Sequence, residues 1–297
     1  MAAPRVICAL AAAALSSAVI ADAGIAVTDD RRSAVVLPQP AARIVTLSPH
    51  LTEIVYAAGA GSHLVAVPRF SDFPEAAKRL PQIGDAARVD LERVLALRPD
   101  LILAWKSGNS AADIARLERL GLRVHVSDAA RLEDVARVVR QIGVMAGTGA
   151  DAERAAREYE NEIESLRQRY ARRAPVRVFY EIWDRPLLTV NGRHIISDVL
   201  ALCGAVNVFA EAALLTPSIS LEALIAARPD VVLGGSSAST AADFAAQWRS
   251  QGIAALENMA TGYVPPDLIQ RATPRIAQGA AVICKAVDEV RVARGLR

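Results

Sequence analysis

One short pattern occurs twice in this chain, and the duplication limits the possible folds more than any other feature. Asp90-Leu91-Glu92 opens the first copy, which closes with Arg98-Pro99-Asp100 and the apolar Leu101-Ile102-Leu103. Ser220-Leu221-Glu222 opens the second, which closes with Arg228-Pro229-Asp230 and Val231-Val232-Leu233. Each copy reads as a short apolar helix leading into a strand. Proline lacks a backbone donor and drives its predecessor out of the α region, so the helices stop by Arg98 and Arg228. Asp90 and Ser220 are placed as N-caps, accepting from the first unpaired N–H groups. The copies stand about 130 residues apart, too far for a solenoid, whose repeats run roughly 20–50 residues. Two similar lobes, each with one unit in the same place, account for the spacing.

The intervening segments extend that reading. Strands are expected at Arg43–Leu47, Leu64–Val67, Leu101–Ala104 and Val124–Val126, with helices from Thr52, over Asp113–Leu120 and over Leu132–Met145. Short apolar strands alternating with helices indicate an α/β fold with parallel sheets covered on both faces. Ala150–Arg173 has no Gly or Pro, and it pairs Glu153 with Arg157 and Glu164 with Gln168 at helical spacing. It reads as a connecting rod between lobes, with a long surface helix of one domain as the alternative. The same grammar restarts at Arg177–Glu181 and ends in a helix from Pro274 onwards. The expected division is residues 24–42 as an N-terminal arm, 43–147 and 175–297 as lobes, and 148–174 as the connecting helix.

Residues 1–23 read as a signal peptide. Arg5 supplies the basic start, Val6–Ile20 the apolar stretch, and Ala21-Asp22-Ala23 the cleavage site. The apolar stretch is shorter than the roughly 20 residues a membrane span needs. The expectation is export to the periplasm and cleavage after Ala23. Cys203 and Cys284 then remain, and in an oxidising compartment they form either a disulfide or two buried thiols. Net charge is +2 with both signs interspersed, so nothing favours a nucleic-acid partner.

Enzyme motifs are weak. Gly59-x-Gly61 lacks the third dinucleotide-fold glycine, and Gly234-Gly235-Ser236-Ser237 has no phosphate-binding lysine after it. His50, His63, His125 and His194 show no close ligand spacing, so no metal site and no catalytic residue is assigned. His50 follows the first strand's carboxyl end, where it could reach a metal inside a bound cofactor or simply start a helix. The aromatic residues are more informative. Phe70, Trp105 and Trp183 all fall just beyond expected strand ends. In open α/β sheets ligands bind at that carboxyl edge, and exposed aromatics there suit a broad, partly flat ligand.

Ser48-Pro49-x-x-Thr52-Glu53, Phe70-Ser71-Asp72-Phe73-Pro74, the two Leu-Glu units, Cys203-Gly204 and Thr273-Pro274-Arg275 together resemble the periplasmic cobalamin-binding proteins of ABC importers. These belong to the class III substrate-binding proteins, which also include haem and ferric-siderophore receptors. The resemblance implies two Rossmann-like α/β lobes joined by one long rigid helix, with the ligand cleft between them. It implies no enzyme activity, and cobalamin enters as transported ligand rather than cofactor. A monomeric receptor would deliver it to a permease and ATPase complex in the inner membrane. By the same resemblance Glu92 and Glu222 dock the permease and Cys203 pairs with Cys284. Ligand contacts fall on Phe70, Trp105 and Asp267-Leu268-Ile269-Gln270-Arg271, with Trp183 added from its own position. Two positions that are tryptophan in such a receptor fall here near Ala86 and Thr216.

Overall fold

The computed structural model describes residues 24–251 and 259–296; the expected signal peptide lies outside them. Two four-stranded sheets carry the chain. Strands β3 (Ile44–Thr46), β4 (Leu64–Ala66), β5 (Leu101–Trp105) and β6 (Val124–Ser127) form one, in the order β4-β3-β5-β6. Strands β7 (Val176–Glu181), β8 (Ala205–Asn207), β9 (Val231–Gly234) and β10 (Ala260–Tyr263) form the other, in the order β10-β9-β7-β8. Every pairing in both sheets is parallel. Counted from its own first strand, each sheet has the order second, first, third, fourth. The lobes therefore share a topology as well as a motif. Each reverses direction between its first and third strands, the switch point at which such sheets bind ligands.

The two repeats occupy equivalent places. Helix α2 (Leu91–Ala96) is capped by Asp90, whose carboxylate accepts from Arg93 N at 3.0 Å, and α7 (Leu221–Ala227) by Ser220, accepting from Ala223 N at 3.2 Å. The expected stops hold: Arg98 and Arg228 adopt left-handed backbone, φ 44° and 46°. Each repeat also closes a circuit that its own residues do not reveal. Asp100 accepts from Arg43 N at 2.9 Å, and the Arg43 guanidinium returns to Leu97 O at 2.6 Å. Asp230 likewise accepts from Arg177 N at 2.8 Å, and Arg177 returns to Ala227 O at 2.7 Å. An arginine at the lobe's first strand thus satisfies the orphan carbonyls at the helix end.

Packing is layered. On the outer side of each sheet, Val45, Ile102 and Ala104 meet Val94, Ile114 and Leu117, while Phe179 and Val232 meet Leu224, Phe244 and Trp248. On the inner side Ile44, Leu101 and Leu103 belong to the same continuous core as Val178, Tyr180, Val231 and Leu233. That core runs through α4 (Leu132–Ala146), α5 (Gly149–Tyr170), α6 (Ile195–Leu202) and the C-terminal helix Ile276–Ala293. Helix α5 has 22 residues, about 33 Å, and buries Ala152, Ala156, Tyr159 and Ile163. The Tyr159 hydroxyl donates to Leu132 O at 2.8 Å. In chain order α4 and α5 together link the last strand of one sheet to the first of the other. Arg140 fastens them, reaching Glu153 at 2.7 Å and Glu160 at 2.5 Å.

Residues 24–42 are more ordered than a polar arm. β1 (Ile25–Thr28) and β2 (Ala34–Leu37) pair as an antiparallel hairpin, with Val35 and Leu37 in the core. β8 and β10 had no sequence expectation, because three- and four-residue strands leave little pattern to read. No helix among the described residues is long and apolar enough to cross a membrane.

Cys203, capping α6, is bonded to Cys284 on the C-terminal helix, across 81 residues of chain. Beside it Arg291, almost fully buried, donates to Cys203 O at 3.1 Å and Ala174 O at 2.7 Å. Closing a loop of that length restricts the unfolded chain by about 4–5 kcal/mol in the chain-entropy picture. Replacing both cysteines by alanine is expected to lower stability by about 2–5 kcal/mol in urea unfolding. An unchanged midpoint would show that the bridge adds nothing to this core.

Candidate functional site

The carboxyl ends of the two sheets face each other across a cleft. β3 leads through Ser48 into α1 (Pro49–Ala57), placing His50 at the opening, and β5 ends in Trp105. His50 and Trp105 meet edge to face, ring centres 5.1 Å apart at 83°. Gly108 has no side chain to collide with the Trp105 indole, so the loop folds back beneath it. Opposite them stand Arg193, His194, Leu215, Gln270 and Arg271, and the enclosed part of the cleft measures about 260 Å³. A hollow of about 620 Å³ lies elsewhere, between Val231, Thr261 and Ala286. It sits at the amino ends of β9 and β10, the wrong edge for a ligand site in this topology.

Around the mouth, apolar side chains face outward. Phe70 is 64% exposed, Phe73 44% and Trp183 50%, and Leu214 and Leu215 are exposed beside them. Phe70 adopts left-handed backbone, φ 69°, a conformation that costs a non-glycine residue roughly 1–3 kcal/mol. Trp183 is fixed by its indole N–H donating to Arg185 O at 3.0 Å. Leu214 and Leu215 belong to a loop pinned through Asn191 N to Leu215 O at 2.9 Å and Arg193 to Ala213 O at 2.7 Å. They adjoin Thr216, so aliphatic surface stands near one of the two positions that the resemblance pairs with tryptophan. Ala86 is instead tied down by Asn109, whose amide donates to its carbonyl at 2.8 Å.

The segment from Asp267 to Arg271 does not act as a unit. Asp267 and Gln270 are exposed and Leu268 is half-buried, while Ile269 is fully buried in the core. Ile269 is therefore removed from the ligand set: one turn of helix (Pro266–Ile269) cannot present every side chain to the same surface. Arg271 does line the cleft, but its guanidinium is occupied. It donates to Glu53 at 2.8 Å, to Asp72 at 2.6 Å and to Phe70 O at 3.4 Å, and it pairs with Asp267 at 3.1 Å. Burial opposes its charge, yet the bonds to Asp72 and Glu53 hold its pKa above the ordinary arginine value.

Glu53 is the hub of that network. It sits on α1 of the first lobe, 4% exposed, and among the described residues every side chain that bonds it comes from the second lobe. Besides Arg271 these are the Thr273 hydroxyl at 3.2 Å and Arg275 at 3.4 Å. Arg275 also lies 4.0 Å over the Phe73 ring. Thr52-Glu53 and Thr273-Pro274-Arg275, two motifs far apart in the chain, are thus one contact in space. Separate readings of the motifs could not show it.

On the second lobe, Glu181 ends β7 with no exposed surface. It accepts from Ser236 at 3.2 Å and Gln247 at 3.3 Å, while Ser237 donates to the neighbouring Asp184 at 2.6 Å. The Gly234–Thr240 loop is thereby tied to the end of β7. Burial pushes the Glu181 pKa up to about 7.

The model for periplasmic binding proteins matches residues 44–265. The chain belongs to this family. As a periplasmic binding protein it is a receptor and not an enzyme. The vitamin B12-binding protein of Vibrio parahaemolyticus is 34% identical over 253 residues, 85% of this chain and 92% of its own length. That of Yersinia pestis is 34% identical over 252 residues, 85% of this chain and 88% of its own. Among solved structures, the periplasmic vitamin B12 binding protein BtuF of Vibrio cholerae superposes with a TM-score of 0.78 at 31% identity, covering 85% of this chain and 98% of that one. A periplasmic heme binding protein from Pseudomonas aeruginosa superposes at 0.71 with 27% identity, covering 83% and 92%.

Two substitutions test the charge network. Glu53→Gln leaves two half-buried guanidinium groups short of a partner and is expected to cost about 2 kcal/mol, whereas Asp72→Asn, at the exposed end, should cost under about 1 kcal/mol. Equal losses in chemical unfolding would remove Glu53 from its central position. For Glu181, folding raises the pKa from 4.5 to about 7. Its contribution is fully present below pH 4.5 and is lost as pH rises through about 7, because the unfolded chain releases the proton first. Glu181→Gln should abolish that decline, about 3 kcal/mol between pH 5 and 8; parallel stability profiles would contradict it.

Proposed function

We propose that this periplasmic binding protein captures a corrinoid, with cobalamin as the first candidate, and delivers it to an ABC importer in the inner membrane. The observation that carries the reading is the combination of exposed apolar rims with a neutralised guanidinium. Leu215 lines the cleft, and exposed Phe70, Phe73 and Trp183 stand close by: Phe70 O accepts from Arg271, Phe73 lies under Arg275, and Trp183 follows Ile182, whose carbonyl accepts from Gln270. Arg271 is spent on Glu53, Asp72 and Asp267. A corrinoid presents neutral amides around a broad ring, which suits the apolar rim and the spent Arg271; Arg193, which donates to the Ala213 carbonyl, is the cation in the wall that haem carboxylates would compete for. The resemblance to vitamin B12-binding relatives at 34% identity supports the same choice. Polar contacts come from Gln270 and Asp267 at the rim, while Arg271 serves mainly to hold the rim in place. The enclosed 260 Å³ takes only part of such a ligand, so the remainder lies in the open mouth against the aromatic side chains.

Docking falls to Glu92 and Glu222. Both are exposed, one residue into α2 and α7, at equivalent positions of the two lobes. Two carboxylates at matched sites suit a permease presenting two basic patches, and exposed charges of this kind orient encounter more than they add affinity. The protein acts as a monomer in the periplasm after its leader is removed.

Calorimetric titration should give one cobalamin per chain and weaker binding of haem; equal or tighter haem binding would overturn the corrinoid reading. Glu92→Lys with Glu222→Lys should abolish uptake into vesicles carrying the importer while soluble ligand binding persists. If ligand binding falls with uptake, docking and capture are not separate.

A further inference from the structure

Ser48 occupies the N-cap of α1 but makes no side-chain bond to the helix. Asp90, Ser110, Ser220 and Thr240 each cap theirs. Giving up such a bond costs roughly 1 kcal/mol. The Ser48 hydroxyl turns instead to His50, 2.6 Å from Nδ1, and Trp105 packs edge to face against the same ring. The imidazole is thus oriented from two sides, at the wall of the cleft.

His194 lines that cavity too, but its Nδ1 accepts from Ile196 N–H at 3.2 Å, so its Nε2 carries the proton. His50 differs. The Ser48 hydroxyl can donate to or accept from His50 Nδ1; in the tautomer whose Nδ1–H donates to Ser48 Oγ, the lone pair lies on Nε2, the arrangement that metal-bound histidines use with their outer hydrogen bond. The 83° between the His50 and Trp105 planes allows a flat macrocycle to lie parallel to the indole and meet the imidazole end-on. Burial and the Arg271 charge lower the His50 pKa to about 3. The ring is therefore neutral at ordinary pH, so one of its two nitrogens carries a lone pair.

We infer that His50 Nε2 is an axial ligand for the cobalt of a corrinoid that lacks its own nucleotide base. This rests on the corrinoid reading above and deepens it to a preferred form of ligand. In the step, the Nε2 lone pair forms the cobalt–nitrogen bond and an axial water leaves. The oxidation state of cobalt is unchanged and no proton is released.

The test compares aquocobinamide, which has exchangeable axial water, with cyanocobalamin, whose axial positions are both filled. Wild-type protein should shift the visible bands of aquocobinamide. In the cobalt(II) form it should add nitrogen splitting to the paramagnetic resonance spectrum, a nitrogen that cobinamide does not supply. His50→Gln and His50→Ala should lose both signatures, while unchanged circular dichroism and urea-unfolding midpoints report that they fold. Ser48→Ala should keep the shift but weaken aquocobinamide binding roughly tenfold. Aquocobinamide bound without a spectral change, or with the same change in His50→Gln, overturns the assignment alone. Failure of wild type to bind either corrinoid overturns the corrinoid reading, and this assignment with it.

Discussion

A carboxylate buried at the junction of two lobes is costly unless cations meet it, and Glu53 is met by Arg271 and Arg275 from across the cleft. Removing charges from water carries a penalty of several kcal/mol per ion, recovered only when the geometry and the remaining hydrogen bonds are good. Here Thr273 fills one further acceptor site and Asp72 a further guanidinium site. The consequence is geometric. Arg271 can satisfy Glu53, Asp72 and Phe70 O together only at one separation of the lobes. The inner core points the same way, since it is continuous through both sheets. Hinge opening would have to expose apolar area as well as break the ionic contact.

The cleft inherits its chemistry from that junction. Phe70 is displayed in an unfavourable backbone conformation next to an arginine from the other lobe, so the rim of one lobe is partly shaped by the other. The same arginine is neutralised there by Glu53, Asp72 and Asp267. The repeats, by contrast, are self-contained in each lobe. Asp100 with Arg43, and Asp230 with Arg177, brace the helices that carry Glu92 and Glu222. Fixed lobes with braced helices hold Glu92 and Glu222 at a fixed spacing, which the proposed docking to a partner with two basic patches requires.

Much of this was legible in the chain because it depends on near neighbours. Helix starts at Asp90 and Ser220, stops at Arg98 and Arg228, and alternating apolar strands are set by backbone sterics and local hydrogen bonds. The placement of Phe70 and Trp183 beyond strand ends followed from the same periodicity, whereas Trp105, expected just past its strand, is the last residue of β5. The partial failures share a cause. β8 and β10 are too short for a period, and the hairpin at residues 24–42 shows its apolar side only when α4 lies beneath it. Ile269 sits in a run that looked uniform, and only the turn of the Pro266–Ile269 helix sends it inward. Leu214 and Leu215 stand in an apolar run between β8 and α7, a signal that was present but had no strand end to give it meaning.

The amino-acid sequence by itself determined that there are two lobes of one topology class, where each repeat begins and ends, and which glutamates stand at matching places. Those properties follow from dihedral preference and capping within a few residues. Tertiary structure alone decided that Glu53 meets Arg271, Thr273 and Arg275, more than two hundred residues away. It also decided that Arg271 is a brace before it is a ligand contact, and that Ser48 serves His50 instead of its helix. Charge pairing and side-chain orientation depend on which surfaces the packed core brings together, and no local pattern carries that information.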